Sequence, residues 1–159
     1  MTARDIVVVG ASAGGLEAIR QFLGGLPESF EGVVLIVMHT SAEGGTQLPQ
    51  IIGRWTSRPV AAAGRERPLV ANSVYVAPAD HHLLLDGSGG VLLSSGPREN
   101  GHRPSIDALF RSAARHYGRR VIAVVLSGSL DDGASGLVAV RAQGGIALVQ
   151  DPHEALYEG

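Results

Sequence analysis

Ile6–Val9, Val33–Met38 and Val121–Leu126 are apolar without interruption. Short Ile- and Val-rich runs without alternation are the pattern of strands buried on both faces of a parallel sheet. Between them the period changes. After Asp5–Val9, the residues Leu16, Ile19, Phe22 and Leu23 recur at helical spacing, and Gly24-Gly25 closes that helix. Leu48, Ile51, Ile52 and Trp55 line a second helical face, and Pro59–Ala63 is a weaker strand. Pro104–Tyr117 predicts a helix with proline near its first position and Ile106, Leu109, Phe110 and Ala113 turned inward. Ala134–Ala142 predicts another helix, closed by Gly144-Gly145, and Ile146–Val149 a last strand. Ser73–Ala77, Leu83–Asp86 and Val91–Ser94 are short and separated by turn residues, so they read as a hairpin-rich antiparallel insertion. Strands alternating with helices predict an α/β fold. The expected architecture is a doubly wound, mostly parallel sheet, with helices on both faces and a small antiparallel hairpin insertion.

The 159 residues suit one domain, with no internal repeat and no linker. Apolar residues make up 45% and charged residues 18%, an ordinary globular composition. The net charge of −2 lacks the basic excess of a nucleic-acid binder, so no nucleic-acid partner is expected. No apolar run approaches the ~20 residues that span a bilayer, so no membrane insertion is expected. Without cysteine there is no thiol nucleophile, disulfide or cysteine-ligated metal. That fits a cytoplasmic protein. Ten of the 22 glycines fall in five pairs (Gly14-Gly15, Gly24-Gly25, Gly44-Gly45, Gly89-Gly90 and Gly144-Gly145), as turn punctuation.

In a doubly wound sheet, chemistry belongs at the carboxyl ends of the strands. Three predicted strand ends carry candidates: Ser12 within Gly10-Ala11-Ser12-Ala13-Gly14, His39 after the second strand, and Asp131-Asp132 after Val121–Leu126. Serine needs an imidazole to take its proton, and the imidazole needs a carboxylate to fix its tautomer. The serine stands at the G-x-S-x-G spacing of a sharp strand-to-helix turn, where the Ala13 N–H is a candidate oxyanion donor. A dinucleotide fingerprint competes for the same glycines. It wants an acidic residue at the end of the second strand, where this chain has Met38-His39-Thr40. Each residue also has a plainer role open to it: Ser12 as a helix cap, His39 as a satisfied polar residue, and Asp131 and Asp132 as caps of the helix from Ala134. His81-His82 point to opposite faces of a strand with no third ligand at suitable spacing, so no metal site is expected. His102 and Arg103 precede Pro104 in a loop, lining a cleft or simply solvated.

Several blocks then resemble one family in the same order. They are G-A-S-A-G-G around Ser12, the histidine after the second strand, V-Y-V-A-P-A-D-H-H-L (74–83), H-R-P-S-I-D-A-L-F-R-S-A-A (102–114), L-S-G-S-L-D-D-G-A-S-G-L (126–137) and Q-D-P-H-E-A-L (150–156). Together they resemble the catalytic domain of the chemotaxis protein-glutamate methylesterases over nearly the whole chain. The resemblance implies a cytoplasmic serine hydrolase that removes methyl groups from glutamate γ-methyl esters and deamidates glutamines. It implies Ser12 as nucleophile, His39 as base and Asp132, rather than Asp131, as orienting acid. Ala13 and Ser129 are the implied oxyanion or substrate-binding residues, and no cofactor or metal is implied. The expected partner is the cytoplasmic domain of a methyl-accepting chemoreceptor. A monomer is expected, with room for a regulatory domain, separate or fused.

The chain departs from the family pattern at Met38, where glutamine is usual, and at Ser127, Ser129 and Leu130. It stops at Tyr157-Glu158-Gly159, where the family continues through another helix and strand. Residues 1–159 are therefore expected to form a single methylesterase-like catalytic domain truncated at its C-terminus. Two alternatives stand beside this reading: a serine esterase or amidase for another substrate, and a scaffold of the same fold without turnover.

Overall fold

The computed structural model describes residues 3–12, 15–39, 47–64, 68–126 and 131–150. Its main sheet contains β1 (Ile6–Ala11), β2 (Val33–Met38), β3 (Val60–Ala62), β4 (Val74–Val76), β7 (Val121–Leu126) and β8 (Ile146–Val149). The spatial order is β3-β4-β2-β1-β7-β8, and every pairing is parallel. The chain winds outward from β1 in one direction through β2 and in the other through β7. The order therefore reverses beside β1, the point at which such sheets form a crevice.

The uninterrupted apolar runs are explained by burial on two sides. Along β1, Ile6 and Val8 face one core while Val7, Val9 and Ala11 face the other. The second core is covered by α1 (Gly15–Gly25), through Ala18, Ile19 and Leu23, and by α2 (Leu48–Gly53), through Leu48 and Ile52. The first is covered by α3 (Ile106–Tyr117), through Ile106, Leu109, Phe110 and Ala113, and by α4 (Ala134–Ala142), through Leu137 and Val140. A short antiparallel pair, β5 (His82–Leu85) with β6 (Val91–Ser94), packs on the same side through Leu83, Leu85 and Val91.

Two expectations need correction. Val74–Val76 does not belong to the antiparallel insertion. It is a fully buried strand of the main sheet, parallel to both β2 and β3. Its Val-Tyr-Val sequence faces protein on both sides, which is the physical meaning of a run without polar alternation. Pro104 is not in the first turn of its helix either. Ser105 is the N-cap, with extended backbone (φ −102°, ψ 140°) and a hydroxyl that accepts the Ala108 N–H, so α3 begins at Ile106. A buried N-capping serine outranks a helix-compatible proline because it satisfies a backbone donor that has no water partner.

Gly10 sets how closely α3 approaches the sheet. A Cβ on Gly10 would lie 2.4 Å from Cγ2 of Ile106. The missing side chain lets the start of α3 settle on the carboxyl end of β1. Gly136 plays the same part between helices, since its Cβ would lie 2.5 Å from Cβ of Phe110.

Candidate active site

The register of the central strands brings their ends level. Ala11 is opposite Met38 of β2 and Leu126 of β7. The next residues, Ser12 and His39, therefore emerge side by side, and the His39 N–H donates to the Ala11 carbonyl at 2.9 Å. Ser12 is partly buried, and its carbonyl accepts the Gly15 N–H that opens α1.

Asp132, before α4, turns back toward the same edge. Its Oδ2 lies 2.7 Å from Nε2 of His39, and its side chain is 1% exposed. Four further donors reach this carboxylate: Nδ2 of Asn100 (3.0 Å), Oγ of Ser105 (2.9 Å), and the backbone N–H groups of Ile106 (2.6 Å) and Asp107 (3.0 Å). The last two are first-turn donors of α3 that no helical carbonyl can satisfy, at the positive end of the helix dipole. Burial by itself raises the proton affinity of Asp132. The hydrogen bonds from His39, Asp107, Ile106 and Asn100 outweigh it and hold the carboxyl well below the usual carboxylate range. The balance is plausible in size: burying an ion costs several kcal/mol, while a hydrogen bond to a charged group contributes about 1.5–3 kcal/mol. Because Asp132 is ionised it only accepts, so Nε2 of His39 carries the proton and Nδ1 is the basic nitrogen of the neutral ring.

Asp107 does for α4 what Asp132 does for α3. It is 3% exposed, and its Oδ1 accepts the N–H groups of Gly133 (3.1 Å) and Gly136 (2.6 Å). Its Oδ2 accepts from Asn100 at 2.8 Å. Each helix thus has its orphan donors met by a carboxylate from the other helix's start, with one amide bridging the two acids. Asp132 thus serves the start of α3, which overturns its reading as a cap of the helix from Ala134. The N-cap there is Gly133, without a side-chain cap, and Asp131 is exposed.

Ser12, His39 and Asp132 therefore share one edge of the sheet. Ala13 and Ser129, the expected oxyanion or substrate-binding residues, lie outside the described residues, as does the 151–159 end. His81 bonds through Nδ1 to the Ala79 carbonyl. His82 is buried, its Nδ1 accepting the Ser105 N–H and its Nε2–H donating to Pro97, so it braces the start of α3. Among the described residues no group of His, Asp and Glu is arranged to hold a metal ion.

Sequence reasoning passed over Asn100, Ser105 and Asp107. A signal for the first was present. Asn100-Gly101 is the favoured dipeptide of a two-residue hairpin turn with both residues at positive φ. The structure has φ 55° and 79° there, closed by reciprocal backbone bonds between Glu99 and His102.

A family model described as CheB methylesterase matches residues 7–159. A Leptospira interrogans protein, provisionally named a protein-glutamate methylesterase/protein-glutamine glutaminase, is 36% identical over 148 residues, covering 93% of this chain and 77% of that one. The Geobacter metallireducens protein-glutamate methylesterase/protein-glutamine glutaminase 1 is 37% identical over 157 residues, covering 97% of this chain and 43% of its own length. The crystal structure of the Thermotoga maritima CheB methylesterase catalytic domain superposes with a TM-score of 0.92 at 28% identity, covering 99% of this chain and 85% of that one.

Proposed function

The chain belongs to the CheB methylesterase family, and on that premise we propose that it hydrolyses glutamate γ-methyl esters, and deamidates glutamines, on chemoreceptors. The observation that carries the reading is the 2.7 Å contact between His39 Nε2 and the buried Asp132, on the edge from which Ser12 also emerges. In this reading Ser12 is the nucleophile, His39 the base through Nδ1, and Asp132 the acid that orients it. Oγ of Ser12 attacks the γ-carbonyl as His39 takes its proton. The resulting oxyanion is assigned to the Ala13 N–H and a donor near Ser129. Collapse of the tetrahedral intermediate breaks the ester bond, and His39 protonates the departing methoxide to methanol. Water, deprotonated by His39, then cleaves the acyl-enzyme and restores Ser12 with a free glutamate. With a primary amide in place of the ester, ammonia leaves and the product is again glutamate.

No helix among the described residues is long and apolar enough to cross a membrane. A cytoplasmic location and a receptor's cytoplasmic domain as partner are part of the proposal. Regulation is assigned to a domain outside this sequence, separate or fused. The Geobacter metallireducens relative, more than twice this chain's length, is consistent with that.

The test is methanol release from a methylated chemoreceptor cytoplasmic fragment. Wild type should release methanol, and Ser12→Ala should lose on the order of 10⁶ in kcat, the scale of triad serine removal. A loss below about tenfold, far short of that scale, removes Ser12 from the role. A folded wild type that reacts with a fluorophosphonate but releases no methanol points to another ester or amide.

A further inference from the structure

The His39–Asp132 pair is contacted twice by one short turn. Residues 99–102 form the two-residue hairpin described above, and its two inward side chains do different things. Asn100 donates to Asp132 and Asp107. His102 lies flat on His39, with ring centroids 3.6 Å apart and an interplanar angle of 2°. The turn is tied down on both flanks. Glu99 pairs with Arg111 of α3. Arg103 bonds to Asp80 (2.7 Å) and to the carbonyls of Ser95 and Gly96 (3.1 and 3.0 Å).

We propose that the 99–102 turn is a clamp on the catalytic pair, and that His102 is a positioning residue whose stacked ring fixes the plane of His39. The inference rests on the hydrolase reading above. An imidazole held at one edge by a single hydrogen bond can still rotate about that bond. A flat partner on its face stops the rotation, so that Nδ1 keeps one direction while Nε2 stays on Asp132. The partner must also be neutral when His39 becomes cationic in turnover, because two positive rings at this separation repel. The surroundings favour that state. Burial lowers the proton affinity of His102 first, and positive charge on His39 and Arg98 lowers it further, against the opposing pull of Asp132 and Asp131. The turn therefore places an uncharged aromatic face where the imidazolium forms.

The test compares wild type, His102→Phe and His102→Leu. The phenylalanine keeps a flat ring without a titrating nitrogen, and the leucine keeps bulk without the ring. The probe is the rate of fluorophosphonate labelling of Ser12, with methanol release where it occurs. His102→Leu should slow labelling and lower kcat by ~10- to 100-fold, the scale of a misoriented catalytic group, with KM unchanged. His102→Phe should recover most of that loss. NMR of the His39 ring protons, recorded in a Ser12→Ala background, reads the stack without turnover. Ring-current shifts should be present in wild type and His102→Phe and absent in His102→Leu.

Equal labelling by wild type and His102→Leu overturns the clamp. So does loss in both variants with raised KM, which would make a ring nitrogen a substrate contact. A folded wild type that neither labels nor releases methanol defeats the hydrolase reading instead. In that case unshifted His39 signals overturn the clamp, and shifts lost only in His102→Leu sustain it.

Discussion

At the amino ends of β1 and β7, Asp5 and Arg120 form an ion pair at 2.8 Å in which both side chains are 40% exposed. At the carboxyl end of β1 and β2, His39 and Asp132 form a pair at 2.7 Å in which the carboxylate is 1% exposed. Distance and chemistry are nearly the same; the surroundings are not. Arg120 also rests on the Tyr117 ring, 5.0 Å from its centroid, and water screens the whole arrangement. Asp132 has no such relief, so every lone pair is met by a protein donor. The exposed pair fastens one edge of the sheet and can be lost cheaply. The buried pair is costly to assemble, and it fixes a tautomer that the exposed pair has no need of.

The sharpest way to break the comparison is to replace one acid at a time. Asp132→Asn should lower kcat by about 10⁴, as expected when an orienting carboxylate becomes an amide and the imidazole takes the wrong tautomer. Asp131→Asn, at the exposed neighbour, should leave methanol release near wild type. Equal effects would undo the choice of Asp132 over Asp131.

Acid provides a second separation. Asp132 has a folded-state proton affinity well below that of the unfolded chain. Its contribution to stability is full above the unfolded value of about 3.9, and is lost as pH falls below it toward the folded value, because the unfolded state binds the proton first. Thermal unfolding followed between neutral and strongly acid pH should show this fall in wild type and a flatter curve in Asp132→Asn. The smallest effect is expected at the other edge. Arg120→Ala should cost about 0.2–1 kcal/mol, less at high salt, with activity retained. Chemical denaturation at two salt concentrations measures it, and a loss of several kcal/mol would dissolve the contrast between the two edges.

Much of the fold was legible because the central strands β1, β2 and β7 are buried on both faces. A run such as Val33–Met38 has one reading at that length, and the helices between such runs force a parallel arrangement. Val74–Val76 was misplaced because three residues are too few to show a period, and short neighbouring strands with turn residues suggested hairpins. Ser12, His39 and Asp132 were legible as residue types at strand ends. The cradle around Asp132 was not. It depends on the start of α3 meeting the segment before α4, and no local pattern announces that two helices will cap each other through Asp107 and Asp132. The same limit hid the stack of His102 on His39, although the Asn100-Gly101 turn that delivers it was written in the sequence.

His39 and Asp132 are 93 residues apart in the chain, and they meet only where three parallel strands and two helix starts converge. Contacts of such long sequence separation form slowly, since loop closure must precede the interactions that reward it. A refolding chain can gain helix and partial compaction before any imidazole is oriented. Covalent capture of Ser12 by a fluorophosphonate would then act as a clock for the last stage of refolding. It would lag far-ultraviolet circular dichroism and coincide with completion of the central sheet.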